Sequence, residues 1–174
     1  DIVLKMQTVN GEHALLFVVL EHQSSVDPWM AYRMNRDAMR VWESWRARNT
    51  EAIRLPVVIP VVLYHGDVPW RAETNIGELI DGTGVRDAMG PLWPSFGYVV
   101  EWVNAHTEEE LRSSRLTAVT QLMLLALAQA RGSESMASVF ARWAVLFADV
   151  LAQTGGTQDI ELTARYFIEV RDIE

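Results

Sequence analysis

The chain contains no cysteine among its 174 residues. That removes disulfide cross-links and thiolate zinc sites together. Long apolar runs are missing as well. No stretch approaches the roughly 20 residues that a membrane-spanning helix needs, and no secretory leader is visible. A cytoplasmic protein without a membrane partner is the expectation. Positive charge is scarce: 15 Lys and Arg against 23 Asp and Glu leave a net charge of −8 at pH 7. Such a balance excludes nucleic-acid binding by the surface as a whole, though not by a local basic stripe. What is present is 49% hydrophobic and 22% charged, ordinary for a globular domain with a real core. The chain opens at Asp1, without a methionine and inside an apparent strand, so it is expected to be an excerpt of a longer one.

Residues 1–8 and 12–23 are rich in Val, Leu, Ile and Phe, with Asn10-Gly11 between them, which predicts a hairpin. The second strand is apolar on both faces and should be central. Asp27-Pro28 supplies an N-cap and a helix-starting proline. Met30, Met34, Val41 and Trp45 then recur at helical spacing. "LPVVIPVVLY", residues 55–64, reads as a buried strand. Its Pro60 lacks a ladder donor and hints at an edge or a bulge. Residues 65–94 read as irregular and 95–103 as a late strand. Thr107 and Glu110 form a capping box before a helix to about Ala130. Ser133 is expected to cap another helix ending near Gly155-Gly156, and a last one covers 159–171. Strands followed by helices predict an α/β or α+β fold, with a core over 1–106 and a helical C-terminal part over 107–174.

"FVVLEHQSS" is the stretch with chemistry in it. The central strand runs straight into Glu21, His22 and Gln23 with no turn between. Strand alternation puts Glu21 and Gln23 on one face and His22 on the other. Whether Asp1 shares the face of Glu21 depends on the hairpin loop. A two-residue turn at Asn10-Gly11 pairs Asp1 with Leu20 and separates the acids. A three-residue loop pairs Asp1 with Val19 and makes Glu21 its diagonal neighbour. Asn-Gly suits either. Two carboxylates at one spot call for a cation, and Mg²⁺ is the hard ion that such oxygen ligands suit. The alternative is a pair of solvated strand-end acids.

Three segments of the chain resemble a known family: "DIVLKM", "LLFVVLEHQSSVDPWMAYRMNR" and "LPVVIPVVLYHG" followed by Trp70. They resemble the Rpn recombination-promoting nucleases, the YhgA-like transposases of the PD-(D/E)XK nuclease superfamily. The resemblance implies a restriction-endonuclease-like mixed sheet flanked by helices. It also implies a Mg²⁺-dependent DNA endonuclease linked to recombination or transposition. By position Asp1 and Glu21 match the metal-binding acids, the His22 carbonyl a further ligand, and Gln23 the place of the superfamily lysine. A neutral amide offers less charge to the scissile phosphate than a lysine would, so a slow nuclease is implied.

The same segment carries a candidate DNA contact. Arg33, Arg36 and Arg40 fall on one helix face, and between residues 28 and 54 six arginines stand against three acids. The bland alternative is a solvated face with pairs such as Arg40–Glu43. Asp37, on the same helix, would repel phosphate. Trp29, Trp42 and Trp45 read as core residues rather than base-stacking ones. His13, His65 and His106 lack metal-ligand spacing. The rival function is an inactive DNA- or protein-binding module of the same fold, with self-association left open.

Overall fold

The computed structural model describes residues 2–7, 13–130 and 132–172, and over 2–22 it describes the backbone alone. The chain divides into two compact units, Asp1–Trp102 and Val103–Glu174.

The first unit is built on a mixed sheet with strand order β1-β2-β3-β4. β1 (Ile2–Gln7) and β2 (His13–Gln23) run antiparallel; β3 (Val57–Tyr64) is parallel to β2, and β4 (Val99–Trp102) is parallel to β3. Parallel neighbours need a long crossover, and α1 (Met30–Arg48) supplies it between β2 and β3. The mixed α/β class read from the sequence is therefore observed. β2 is interior, as its two-faced apolar pattern requires.

α1 forms because Met30, Met34 and Val41 fall on one stripe with Ala31 and Ala38, and all five are buried. They pack with Val62 and Tyr64 of β3 and with Tyr98, while Trp45, Val58, Val100 and Trp102 close the margin. Fully burying a Met or Val side chain contributes about 1.5–3 kcal/mol, so this stripe suffices to hold the helix on the sheet. β3 alternates accordingly. Pro60, Val62 and Tyr64 are buried, whereas Val57 and Ile59 on the opposite face are exposed.

The sequence places the N-cap at Asp27, but the helix starts at Met30 with Trp29 as its N-cap and no side-chain cap, and Asp27 instead holds the turn that leads into it. The Trp29 N–H donates to Asp27 Oδ1 at 2.8 Å, and the Met30 N–H to the Asp27 carbonyl at 3.2 Å.

Pro60 lies in an interior strand, which would normally need its N–H. Backbone direction resolves the conflict. The His65 N–H donates to the Gln23 carbonyl at 3.1 Å. By two-residue alternation the nitrogens of Leu63, Val61 and Ile59 face β2, and that of Pro60 faces the other side. There the β4 ladder begins only at Val61, opposite Val99. At Pro60, β3 is still an edge.

Residues 65–94 are irregular, as expected, with three 3-10 turns and the four-residue α2 (Arg86–Met89). The late strand is shorter than predicted, because Gly97 bridges Asn75 instead and the Tyr98 N–H donates to the Thr74 carbonyl at 3.0 Å.

The second unit is helical: α3 (Glu108–Ser113), α4 (Ala118–Gln129), α5 (Met136–Arg142), α6 (Ala144–Leu151) and α7 (Gly156–Asp172). The Thr107/Glu110 capping box is formed, with the Thr107 N–H on Glu110 Oε2 at 2.8 Å. Two helices predicted as continuous are broken. The first stops at Ser113 because Ser114 turns extended and its hydroxyl takes the Leu111 carbonyl at 2.7 Å. Thr117 then starts a new helix by accepting the Thr120 N–H. The second break falls at Trp143, whose indole N–H reaches back to Glu108 Oε1 at 3.1 Å. Ser135, not Ser133, is the cap, and the last helix begins at Gly156 rather than 159. Leu122, Leu125, Val139, Trp143, Val150 and Phe167 form this unit's core.

Candidate active site and nucleic-acid face

The β1–β2 register pairs Ile2 with Val18 and Gln7 with His13. Between described residues this is the alignment that a three-residue hairpin loop predicts. Asp1 and the loop itself lie outside the described residues. Glu21 and His22 are described through their backbone, at the end of β2, opposite Val62 and Leu63 of β3. Gln23, half-buried, stands opposite Tyr64, and its carbonyl is held by His65. Alternation turns the His22 carbonyl to the side away from β3. On that side the described part of β1 stops at Ile2, opposite Val18, so no described strand residue faces His22.

The floor beside these strand ends is aromatic. Tyr64 is fully buried, and its hydroxyl donates to the Val68 carbonyl at 2.7 Å. Its ring meets Trp70 edge-on at 5.0 Å. The Trp70 indole N–H donates to the Tyr98 hydroxyl at 3.1 Å, which in turn donates to the Glu73 carbonyl at 3.1 Å. Trp102 donates its indole N–H to the Gly66 carbonyl at 2.9 Å. A side chain at Gly66 would run into the Tyr64 ring, so the "YHG" turn needs glycine there. Burial pushes the Tyr64 and Tyr98 hydroxyls above the usual tyrosine range, with the charges of Asp67 and Asp27 respectively adding to it. These phenols stay neutral near pH 7 and act as donors.

The outer side of α1 carries the arginines. Arg33 Nη1 bonds Asp27 Oδ2 at 2.8 Å. Chiefly through that hydrogen bond, Asp27 is held below the usual carboxylate range; partial burial opposes the shift and the Trp29 N–H and the Arg33 charge reinforce it. Asp27 was legible as a residue of the helix entry; its grip on Arg33, six residues on, was not. Arg36 and Arg40 both reach Asp37 Oδ1, at 3.3 and 3.2 Å. The pairing expected between Arg40 and Glu43 is replaced by this shared acid. Asp37 does not simply repel phosphate from the stripe; it splints two guanidinium groups along it.

Of the three tryptophans expected in the core, none is fully buried, and Trp42 and Trp45 are half-buried. Trp42 donates its indole N–H to the Pro56 carbonyl at 2.9 Å, and Trp45 packs on the core margin. Trp29 is 62% exposed, and Tyr32 one turn on is 53% exposed. Helical spacing misassigned Trp29 because it precedes the first regular turn, on the flank away from the buried stripe.

No group of three metal-ligating side chains occurs among the described residues. No helix among them is long and apolar enough to cross a membrane.

A mixed sheet, a βαβ crossover and Glu21 near the end of β2 define an α/β protein with a candidate site at its strand tips. The chain belongs to the family described as "Putative transposase, YhgA-like", whose model matches residues 1–157. It is 29% identical over 126 residues to recombination-promoting nuclease RpnD of Escherichia coli O157:H7, covering 71% of this chain and 45% of that protein. Over 67 residues it is 34% identical to recombination-promoting nuclease RpnC of Escherichia coli K12, and 31% identical to that strain's inactive recombination-promoting nuclease-like protein RpnE. Each of these shorter matches covers 38% of this chain and 21% of the relative. The chain thus spans less than half the length of these relatives. No solved structure matches it.

Proposed function

We propose that the chain is the core of a Mg²⁺-dependent DNA endonuclease of the restriction-endonuclease-like type, acting in recombination. Asp1, Glu21 and the His22 carbonyl would hold the ion. The observation that carries this reading is the β1–β2 register, with Ile2 opposite Val18. Continued by one residue, it is the alignment in which Asp1 becomes diagonal to Glu21. Two carboxylates and a carbonyl turned away from β3 are the hard oxygen donors that such an ion takes. When bound, Mg²⁺ lowers the pKa of a coordinated water and stabilises charge growing on the phosphate.

The chain's own residues do the remaining work. Gln23 orients the attacking water or a phosphate oxygen through its neutral amide. Without a lysine's charge there, electrostatic stabilisation is smaller and turnover slow. Arg33, Arg36 and Arg40 hold the DNA backbone beside the strand tips. The similarity to nucleases named for promoting recombination supports the same reading.

A second reading, a binding module that does not cut, draws on two observations. One relative is named inactive. All three arginines are already engaged with acids.

Glu21→Gln separates the two. It removes a charge and keeps the shape, so the fold survives; without metal, relief of repulsion with Asp1 leaves melting unchanged or slightly higher. In the active reading it abolishes Mg²⁺-dependent plasmid cutting and the Mg²⁺-induced rise in melting temperature. Equal cutting by both proteins would remove Glu21 from the site. The binding-module reading expects neither protein to cut or to gain stability from the ion.

A further inference from the structure

The exposed aromatic residues at the start of α1 call for a partner of their own. Trp29 and Tyr32 neighbour each other at i and i+3, and Arg33, Arg36 and Arg40 run alongside on the same outer flank. The row from Trp29 to Arg40 is about 16 Å long at 1.5 Å per residue. It starts six residues after Gln23 at the end of β2. Large aromatic side chains are normally at least half withdrawn from water, so two of them left out on a helix that buries its other stripe fully is a cost with a purpose.

We propose that this face binds single-stranded nucleic acid, with unpaired bases stacked on Trp29 and Tyr32 and phosphates held by Arg33, Arg36 and Arg40. The inference rests on the nucleic-acid reading given above but not on cleavage. A duplex hides its base faces inside the stack, and an aromatic ring on a convex helix gains little from it. Unpaired bases present a π-face to such a ring whatever their sequence. Charge complementarity points the same way. The arginines are 32%, 43% and 65% exposed, and Arg36 and Arg40 each turn one nitrogen to Asp37 while the guanidinium carries further donors suited to phosphate. Surface ion pairs of this kind are weak enough to share or exchange. Asp27 and Asp37 therefore pre-position the guanidinium groups. For the reaction, this face would hold an unpaired strand, at a frayed end or an opened site, next to the strand tips.

The test measures binding of labelled oligodeoxythymidylate of about 15 nucleotides, within the span of common single-strand sites, and of a duplex of equal length. The expected result is preference for the single strand and quenching of tryptophan fluorescence. Trp29→Ala should weaken single-strand binding about tenfold or more, as base–aromatic stacks commonly do, and spare duplex binding. Trp29→Phe should keep most of it, and Tyr32→Ala, away from the cap, provides a second variant should Trp29→Ala fold poorly. Equal affinity for single strand and duplex, unchanged in Trp29→Ala and Tyr32→Ala, overturns the proposal. So does a concentration-dependent dimer that Trp29→Ala dissolves without any oligonucleotide bound, which would give the face to a second copy. Mg²⁺-dependent cutting with no oligothymidylate binding defeats this inference and leaves the nuclease standing. Oligothymidylate binding with no cutting of any substrate does the reverse.

Discussion

At the scale of single residues, Asp27 does the most. One oxygen accepts the Trp29 N–H in the turn that enters α1 and the other holds Arg33. Its carboxyl is lowered from the ordinary 3.8, chiefly by that arginine. A lowered carboxylate contributes stability that is present above its unfolded value and lost as pH falls through its folded one. Asp27→Asn should therefore melt lower than the parent near neutrality, by tenths of a kcal/mol to about 1 because the pair is part-exposed. The two melting curves should converge as pH falls from about 4 through the lowered folded value. Thermal melts followed by circular dichroism between pH 2.5 and 7 check this. A constant gap across that range would mean that the aspartate acts by shape alone. The sequence showed half of this residue. The turn before a helix is a local signal, readable from Asp-Pro ahead of a helical stripe, whereas the hold on Arg33 depends on how the first turn bends. Tyr64, Tyr98 and Trp70 were equally unreadable as a floor, since 28 residues separate the Trp70–Tyr98 hydrogen bond.

At the scale of elements, α1 has two sides, one buried and one lined with arginines, and periodicity disclosed both. The buried stripe was explicit in Met30, Met34 and Val41, and the arginine row in its i, i+3, i+7 spacing. What periodicity missed were the breaks. A continuous apolar pattern over 136–151 gives no sign that the helix will break at Trp143, whose indole reaches Glu108, a contact spanning 35 residues. The hairpin could not be settled from sequence either, because Asn-Gly serves loops of either parity. The arginine row yields its own prediction. Reversing Arg33 and Arg36 together to glutamate should weaken DNA binding and flatten the slope of log affinity against log salt by about 2. Anisotropy titrations across a salt series read this directly. An unchanged slope would reduce the row to a solvated face.

At the scale of the whole chain, charge is not divided between the two units. The helical unit Val103–Glu174 carries ten acids against six arginines, and Asp1–Trp102 thirteen acids against nine basic residues. Each is therefore negative by the same amount. Attraction to nucleic acid has to come from α1 and the turn after it, where the sign reverses locally. Elsewhere in either unit the excess of acids disfavours phosphate.

Pro60 bears on how this chain avoids its own kind. β2 and β3 meet across 41 positions, Leu16 to Val57, a long-range parallel pairing of the kind that forms slowly. Until the short β4 arrives, "VVIPVVLY" offers a flat, valine-rich border to any neighbouring molecule, and the exposed Val57 and Ile59 extend that offer into the native state. A missing donor in the middle of that border interrupts intermolecular strand addition where the chain is most open to it. Pro60→Val should leave the folded sheet nearly intact, since no β4 partner stands opposite that nitrogen, yet lower the concentration at which refolding turns turbid. Light scattering during dilution from denaturant measures it, and refolding as clean as the parent's would show that Pro60 guards nothing.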